Sequence, residues 1–122
     1  MPSRVKWRSP RTNTCVRSRR ISERWALIAA AERPDAVRAV ISRGGRPDLA
    51  GTALPLVRAP TLLIVGGHDV QVADLNRRAV AQMRAEVRLD IVPGATHLFE
   101  EPGALEAVCD LAIDWCRRHL DR

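Results

Sequence analysis

Apolar positions change period several times along the chain, and each change marks an expected element. From Ser22, which can cap a helix, the apolar and small residues Trp25, Ile28, Ala29 and Ala31 lead to Arg33-Pro34, where proline stops the helix. Val37 to Ile41 is a short strand-like run, closed by the loop signals Gly44-Gly45 and Pro47-Asp48. Asp48 is expected to cap a helical turn over Leu49 to Leu54. Thr61 to Val65 reads Thr-Leu-Leu-Ile-Val, apolar on both faces, as in a parallel strand covered by helices on each side. A helix is predicted over Ala73 to Ala85, with Leu75, Ala79 and Met83 on its inner stripe and Arg77, Arg78 and Arg84 in solvent. Val87 to Val92 alternates, placing Val87, Leu89 and Ile91 on one side, as a partly exposed edge strand does. In Ala104 to Leu120, Leu105, Val108, Cys109, Ala112, Trp115 and Cys116 recur at three-and-four spacing, and Arg117, Arg118 and His119 suit a helix C-terminus.

Helices and strands therefore alternate, which predicts parallel strands joined by crossover helices, an α/β layered domain. A chain of 122 residues has room for one modest core. The net charge of +6 is unevenly placed. Eight basic residues and one acid fall within residues 1–25, whereas the rest carries 12 basic and 13 acidic groups. Residues 1–21 thus form a basic arm with few apolar anchors, expected to be disordered, ahead of a domain over 22–122. The arm resembles a transit peptide in composition but lacks an apolar helix face. Phosphate contacts by these arginines are the non-enzymatic alternative, an Arg-rich nucleic-acid-binding arm on an inert domain, and such binding would be lost with residues 1–24. No run approaches about 18 apolar residues and no secretory leader is evident, so no membrane is expected and the cytoplasm is the default compartment. Cys15, Cys109 and Cys116 make an odd count without close spacing, which fits reduced thiols. Cys109, Cys116 and His119 share a helix face but span too far for one tetrahedral ion, so no metal is expected. Neither Gly44-Gly45 nor Gly66-Gly67 has the spacing of a phosphate loop, which leaves a nucleotide cofactor without support.

Chemistry in such sheets gathers at the carboxyl ends of the strands. Asp69 follows one strand in Gly66-Gly67-His68-Asp69, and His97 follows the next in Pro93-Gly94-Ala95-Thr96-His97. Both belong to one rim. A carboxylate holding one imidazole nitrogen frees the other to take a proton from a nucleophile, the acid and base of a hydrolytic triad. The alternatives are structural: Asp69 as a cap of the following turn and His97 as ordinary surface. Acid before histidine on successive strands matches the Ser…Asp…His order of the α/β-hydrolase architecture.

Four runs carry a more specific likeness: Ala29-Ala30-Ala31-Glu32-Arg33-Pro34, Ser42 to Gly51, Ala59 to Gly67, and Pro93-Gly94-Ala95-Thr96-His97-Leu98-Phe99-Glu100-Glu101-Pro102-Gly103. From Ala26 to Arg122 the chain resembles the C-terminal half of the dienelactone hydrolase-like α/β hydrolases. The resemblance implies a partial α/β-hydrolase fold, an incomplete doubly wound sheet of about three parallel strands with flanking helices. It also implies Asp69 as triad acid, His97 as triad base, and hydrolysis of a small ester or lactone without metal or organic cofactor.

The nucleophile departs from that pattern. A Gly-x-Ser-x-Gly elbow should precede the first helix, yet that region reads Arg20-Ile21-Ser22-Glu23-Arg24. Arginines occupy both glycine positions around Ser22, whose side chain fits a helix cap better. Ser42 matches a non-nucleophilic position, and Cys15 lies in the arm. One oxyanion-hole amide belongs to the residue after the nucleophile, so it is missing too. The expectation is a truncated hydrolase remnant with little or no turnover alone. A start out of frame is a related expectation, because the text changes abruptly near Trp25 and arginine outnumbers lysine nineteen to one. Without its earlier strands, Val37 to Ile41 becomes an open sheet edge that invites self-association. A partner carrying the missing half, as in a split hydrolase, is the alternative cover.

Overall fold

The computed structural model describes residues 23–120, with side chains from residue 26 onward. The basic arm, Cys15, the Ser22 cap and the Trp25 side chain lie outside the described residues.

The element order is α1 (Glu23–Glu32), β1 (Val40–Arg43), a 3₁₀ segment (Pro47–Leu56), β2 (Thr61–Gly66), α2 (Val70–Gln82), β3 (Val87–Val92) and α3 (Ala104–Leu120). Three parallel strands pair in the order β1-β2-β3, with Val40 beside Thr61 and Thr61 beside Val87. Every residue of β2 is buried, because helices cover both faces of the sheet. On one face Leu62 and Ile64 join Phe99, Val108 and Trp115 of the α3 side. On the other, Leu27, Val40, Leu54, Val57 and Ala79 pack α1, the 3₁₀ segment and α2 together. This is a partial α/β-hydrolase fold.

Several expected boundaries move. The first strand runs over Val40–Arg43 rather than Val37 to Ile41, because Ala36 and Val37 donate their N–H groups to the Arg33 carbonyl in a turn after α1. The first ladder bond follows only at Val40, from its N–H to the Pro60 carbonyl. Asp48 does not cap a turn: its carboxylate is held by both arms of Arg46, at 3.0 and 2.9 Å, inside a 3₁₀ segment that begins at Pro47 and breaks at Gly51, where φ is +53°. Arg46 accordingly holds the Asp48 carboxyl below its usual range, and Asp48 raises the guanidinium.

The second helix spans Val70–Gln82 rather than Ala73 to Ala85, and its buried residues are Ala73, Asn76 and Ala79. Leu75 and Met83 are only half-buried, so the inner face is turned away from the expected stripe toward an amide. In β3, Ile91 is exposed and Val92 buried, the reverse of the expected alternation, while both stay paired with Val65 and Gly66 of β2. Over α3 the expected limits hold, but Leu105 and Cys109 face solvent while Ala104, Val108, Trp115 and Leu120 face the sheet. The indole Nε1 of Trp115 donates to the Pro60 carbonyl at 3.4 Å. Among the described residues, no helix is long and apolar enough to cross a membrane.

Candidate active site

Two loops at the carboxyl rim of the sheet build the site, one after β2 and one after β3. Gly66 ends β2 with its Cα against the backbone of the second loop; a β-carbon there would lie 2.6 Å from the Thr96 carbonyl oxygen and closer still to that of Ala95. Two backbone bonds then stitch the loops, from Gly67 N–H to Val92 O at 2.8 Å and from His68 N–H to Ala95 O at 3.0 Å. Glycine is required at position 66 for this approach, and the approach is what brings residues 69 and 97 together.

Asp69 stands at the N-terminus of α2, yet its side chain makes no capping hydrogen bond. Its Oδ2 lies 3.1 Å from Nδ1 of His97. Of the two readings of Asp69, cap and histidine partner, the geometry selects the second. The carboxylate side chain is largely covered, at 19% exposure, whereas the imidazole is open at 59%. With Nδ1–H donating to Asp69, Nε2 is left as an acceptor on a ring that lines a cleft. That is the polarity a general base needs.

The His97 loop is itself constrained. Gly94 has φ +74°, and Phe99, a non-glycine residue, has φ +55°, a left-handed conformation that costs energy. Burial of the Phe99 ring, with Arg43 6.0 Å above it, offsets that strain. Glu101 closes the loop by accepting the Thr96 N–H on Oε1 at 3.1 Å. This bond holds the Glu101 carboxyl below its usual range. A carboxyl lowered on folding stabilises the folded state at neutral pH, and the contribution is lost as pH falls through the depressed value. Acid unfolding followed from about pH 5 to about pH 2 is therefore expected to be less steep for Glu101→Gln than for the parent, since the amide carries no titrating proton. An unchanged slope would remove Glu101 as the clamp.

A cleft of about 750 Å³ opens beside His97, lined by Arg43 and Leu49 on one side and by Leu98, Glu101 and Leu105 on the other. Three large apolar side chains that the chain leaves exposed, Leu49, Leu98 and Leu105, share it. Ser42 is on β1, buried at 3% exposure, its Oγ without a hydrogen-bond partner. Ser22 and Cys15 lie outside the described residues. No group of three or more metal-ligating side chains occurs among the described residues: Cys109 is exposed, Cys116 is half-buried, and His119 faces Glu86 at 2.8 Å with its ring tilted against Trp115. Sequence reasoning missed Gly66, Asn76, Phe99 and Glu101. Only Asn76 left a signal, a polar residue between Ala73 and Ala79 on an apolar face.

Comparison with known proteins agrees with the fold. A dienelactone hydrolase of Anabaena variabilis superposes with a TM-score of 0.78 at 60% identity over 80% of this chain. The chain resembles the dienelactone hydrolase-like α/β hydrolases. No family model matches. Two curated proteins from Mycobacterium tuberculosis strains, provisionally named phosphoribosyl transferases, are 62% identical over 95 residues, 78% of this chain. This dienelactone hydrolase-like chain spans 45% of the Anabaena protein and 21% of the mycobacterial ones.

Proposed function

We propose that residues 22–122 are the C-terminal part of a hydrolase domain acting on a small ester or lactone in the cytoplasm, with His97 as general base and Asp69 as the acid that orients it. The observation that carries the reading is the 3.1 Å contact between Asp69 Oδ2 and His97 Nδ1 at the carboxyl rim of a parallel sheet. Asp69 fixes the imidazole tautomer and stabilises the imidazolium that forms when Nε2 takes the proton of a nucleophilic hydroxyl or thiol. The same imidazolium then returns the proton to the leaving alkoxide, and hydrolysis of the acyl intermediate repeats the sequence with water. The apolar side chains beside His97 supply a surface for the hydrocarbon part of the substrate. The transferase name belongs to proteins of which this chain spans a fifth, and the acid–base pair is what this segment itself offers.

A base needs a nucleophile to activate, and no glycine-flanked serine elbow occurs in the sequence. The chain alone is therefore proposed to turn over little or no ester. The test is a chimera in which the part of the Anabaena hydrolase outside the match is joined ahead of residue 23. Ester hydrolysis by the chimera, absent from the 122-residue chain, is the expected result. A folded chimera that hydrolyses activated esters equally well with alanine at position 97 overturns the proposal.

Self-association through β1 belongs to the same reading. Val40 and Gly44 direct their N–H groups to Pro60 and Ile64 on the β2 side, so by strand alternation the peptide groups of Ile41 and Arg43 point outward. No described strand pairs with that edge. Sedimentation of the full chain is expected to show mass rising with concentration, and Ile41→Pro, which removes an outward N–H and leaves the inward N–H groups of Val40 and Gly44 in the ladder, is expected to abolish the rise. A monomer at every concentration contradicts it. A separate polypeptide bearing the nucleophile, as in a split hydrolase, is the alternative occupant.

A further inference from the structure

Asn76 is the one fully buried polar side chain of α2, at 0% exposure, between Ala73 and Ala79 on the inner face. Its Nδ2 donates twice: to the Val72 carbonyl one turn earlier, at 2.7 Å, and to the Gly45 carbonyl, 31 residues away, at 3.1 Å. Its Oδ1 is buried with no hydrogen-bond partner. An apolar residue would favour the helix more and would leave no orphan side-chain oxygen, but it would take the donor away from the carbonyl of buried Gly45, so the amide's distinctive contribution is its hold on the Gly44-Gly45 backbone.

The bond to Gly45 reaches the rim. Gly44, its neighbour, has φ +63° and presents its backbone to the His97 ring: a β-carbon there would stand 3.2 Å from Nδ1 and 3.3 Å from Cε1. The same Nδ1 faces the Asp69 carboxylate, and Asp69 is joined to the first turn of α2 through the bond from Ala73 N–H to its carbonyl. Helix α2 thus meets one imidazole by two routes, directly through Asp69 and indirectly through Asn76, Gly45 and Gly44.

We propose that Asn76 is a positioning residue for His97: its amide pins the Gly44-Gly45 backbone as a wall that keeps the imidazole on the Asp69 carboxylate. This deepens the proposed function, since the pair it holds is that reading's acid and base, but the contact can be read without any substrate. Asn76 touches no reacting atom. Its effect passes through the backbone to the ring.

The experiment uses the full chain labelled with ¹⁵N-histidine, in which ring nitrogen shifts report the share of neutral His97 carrying its proton on Nδ1. Asn76→Leu removes both bonds while keeping the branched outline of the side chain, and Asn76→Ser keeps a donor for Val72 while losing Gly45. Both variants are expected to lower the ratio of Nδ1-protonated to Nε2-protonated ring by about fivefold, the equivalent of one lost hydrogen bond. Ala79→Gly, on the same buried face, is expected to lower the denaturation midpoint and leave the ring signal unchanged. Asn76→Ser with wild-type ring shifts, or a change of equal size in Ala79→Gly, overturns the inference. Failure of the chimera to hydrolyse esters leaves it standing, and an unresponsive ring leaves the hydrolase reading standing.

Discussion

Replacing His97 with alanine in the chimera is expected to lower ester turnover by about 10⁴-fold or to background, with little change in the denaturation midpoint. The size follows from what the ring does in the geometry described. Asp69 occupies Nδ1, so Nε2 is the only nitrogen that can take the nucleophile's proton and return it to the leaving group. Alanine removes both transfers. Stability is expected to survive, since the imidazole is more than half exposed. Asp69→Ala is expected to cost less turnover, because the base remains and only its orientation and the stabilisation of its cation are lost. Steady-state rates on an activated ester check both, and an equal loss from the two substitutions contradicts this division of roles.

Gly66→Ala is expected to destabilise the chain by about 3 kcal/mol or more, the range reached when a core must shift to admit an atom. The added methyl meets backbone rather than a movable side chain: Thr96 O at 2.6 Å, the Ala95 carbonyl carbon at 2.8 Å, and Ala95 O closer still. No rotamer relieves this. The loop after β3 must move away from β2, which breaks the bonds from Gly67 and His68 and separates Asp69 from His97. Urea denaturation measures the first effect, and loss of the His97 ring response to Asp69 measures the second. A midpoint like that of the parent would mean that the loops meet elsewhere.

Periodicity in the sequence carried the layers because burial imposes it. Leu62 to Val65 is apolar throughout since both faces of β2 are covered, and the Ala104 to Leu120 stripe follows from one face of α3 lying on the sheet. The failures occur where local hydrogen bonds compete with pattern. Val37 is apolar and buried, yet its N–H is spent on Arg33 in a turn. Asp48 has the chemistry of a cap, but Arg46 two residues earlier takes its carboxylate. The stripe expected for α2, Leu75, Ala79 and Met83, is out of phase with the buried face, Ala73, Asn76 and Ala79, because the partner that draws Asn76 inward, the Gly45 carbonyl, has no signature in the sequence.

The site was legible only in part for the same reason. Asp69 and His97 stood out because chemistry at strand ends is carried by few residue types, and strand order put them on one rim. The supports did not stand out. Gly66 looks like an ordinary strand terminator, and Phe99 gives no hint of a left-handed backbone. Glu101 reads as one more surface carboxylate until its bond to Thr96 is seen.

Everything proposed for this rim depends on the contact between Asp69 and His97, and the ¹⁵N-histidine spectrum of the full chain reads that contact without any substrate. Three histidines give separable rings, and His119, which faces Glu86 at the other end of the sheet, serves as the internal control. Neutral His97 is expected to carry its proton on Nδ1, Asp69→Ala to abolish this preference, and Glu86→Ala to perturb His119 while sparing His97. A His97 ring whose shifts are the same with aspartate and with alanine at position 69 would contradict the contact.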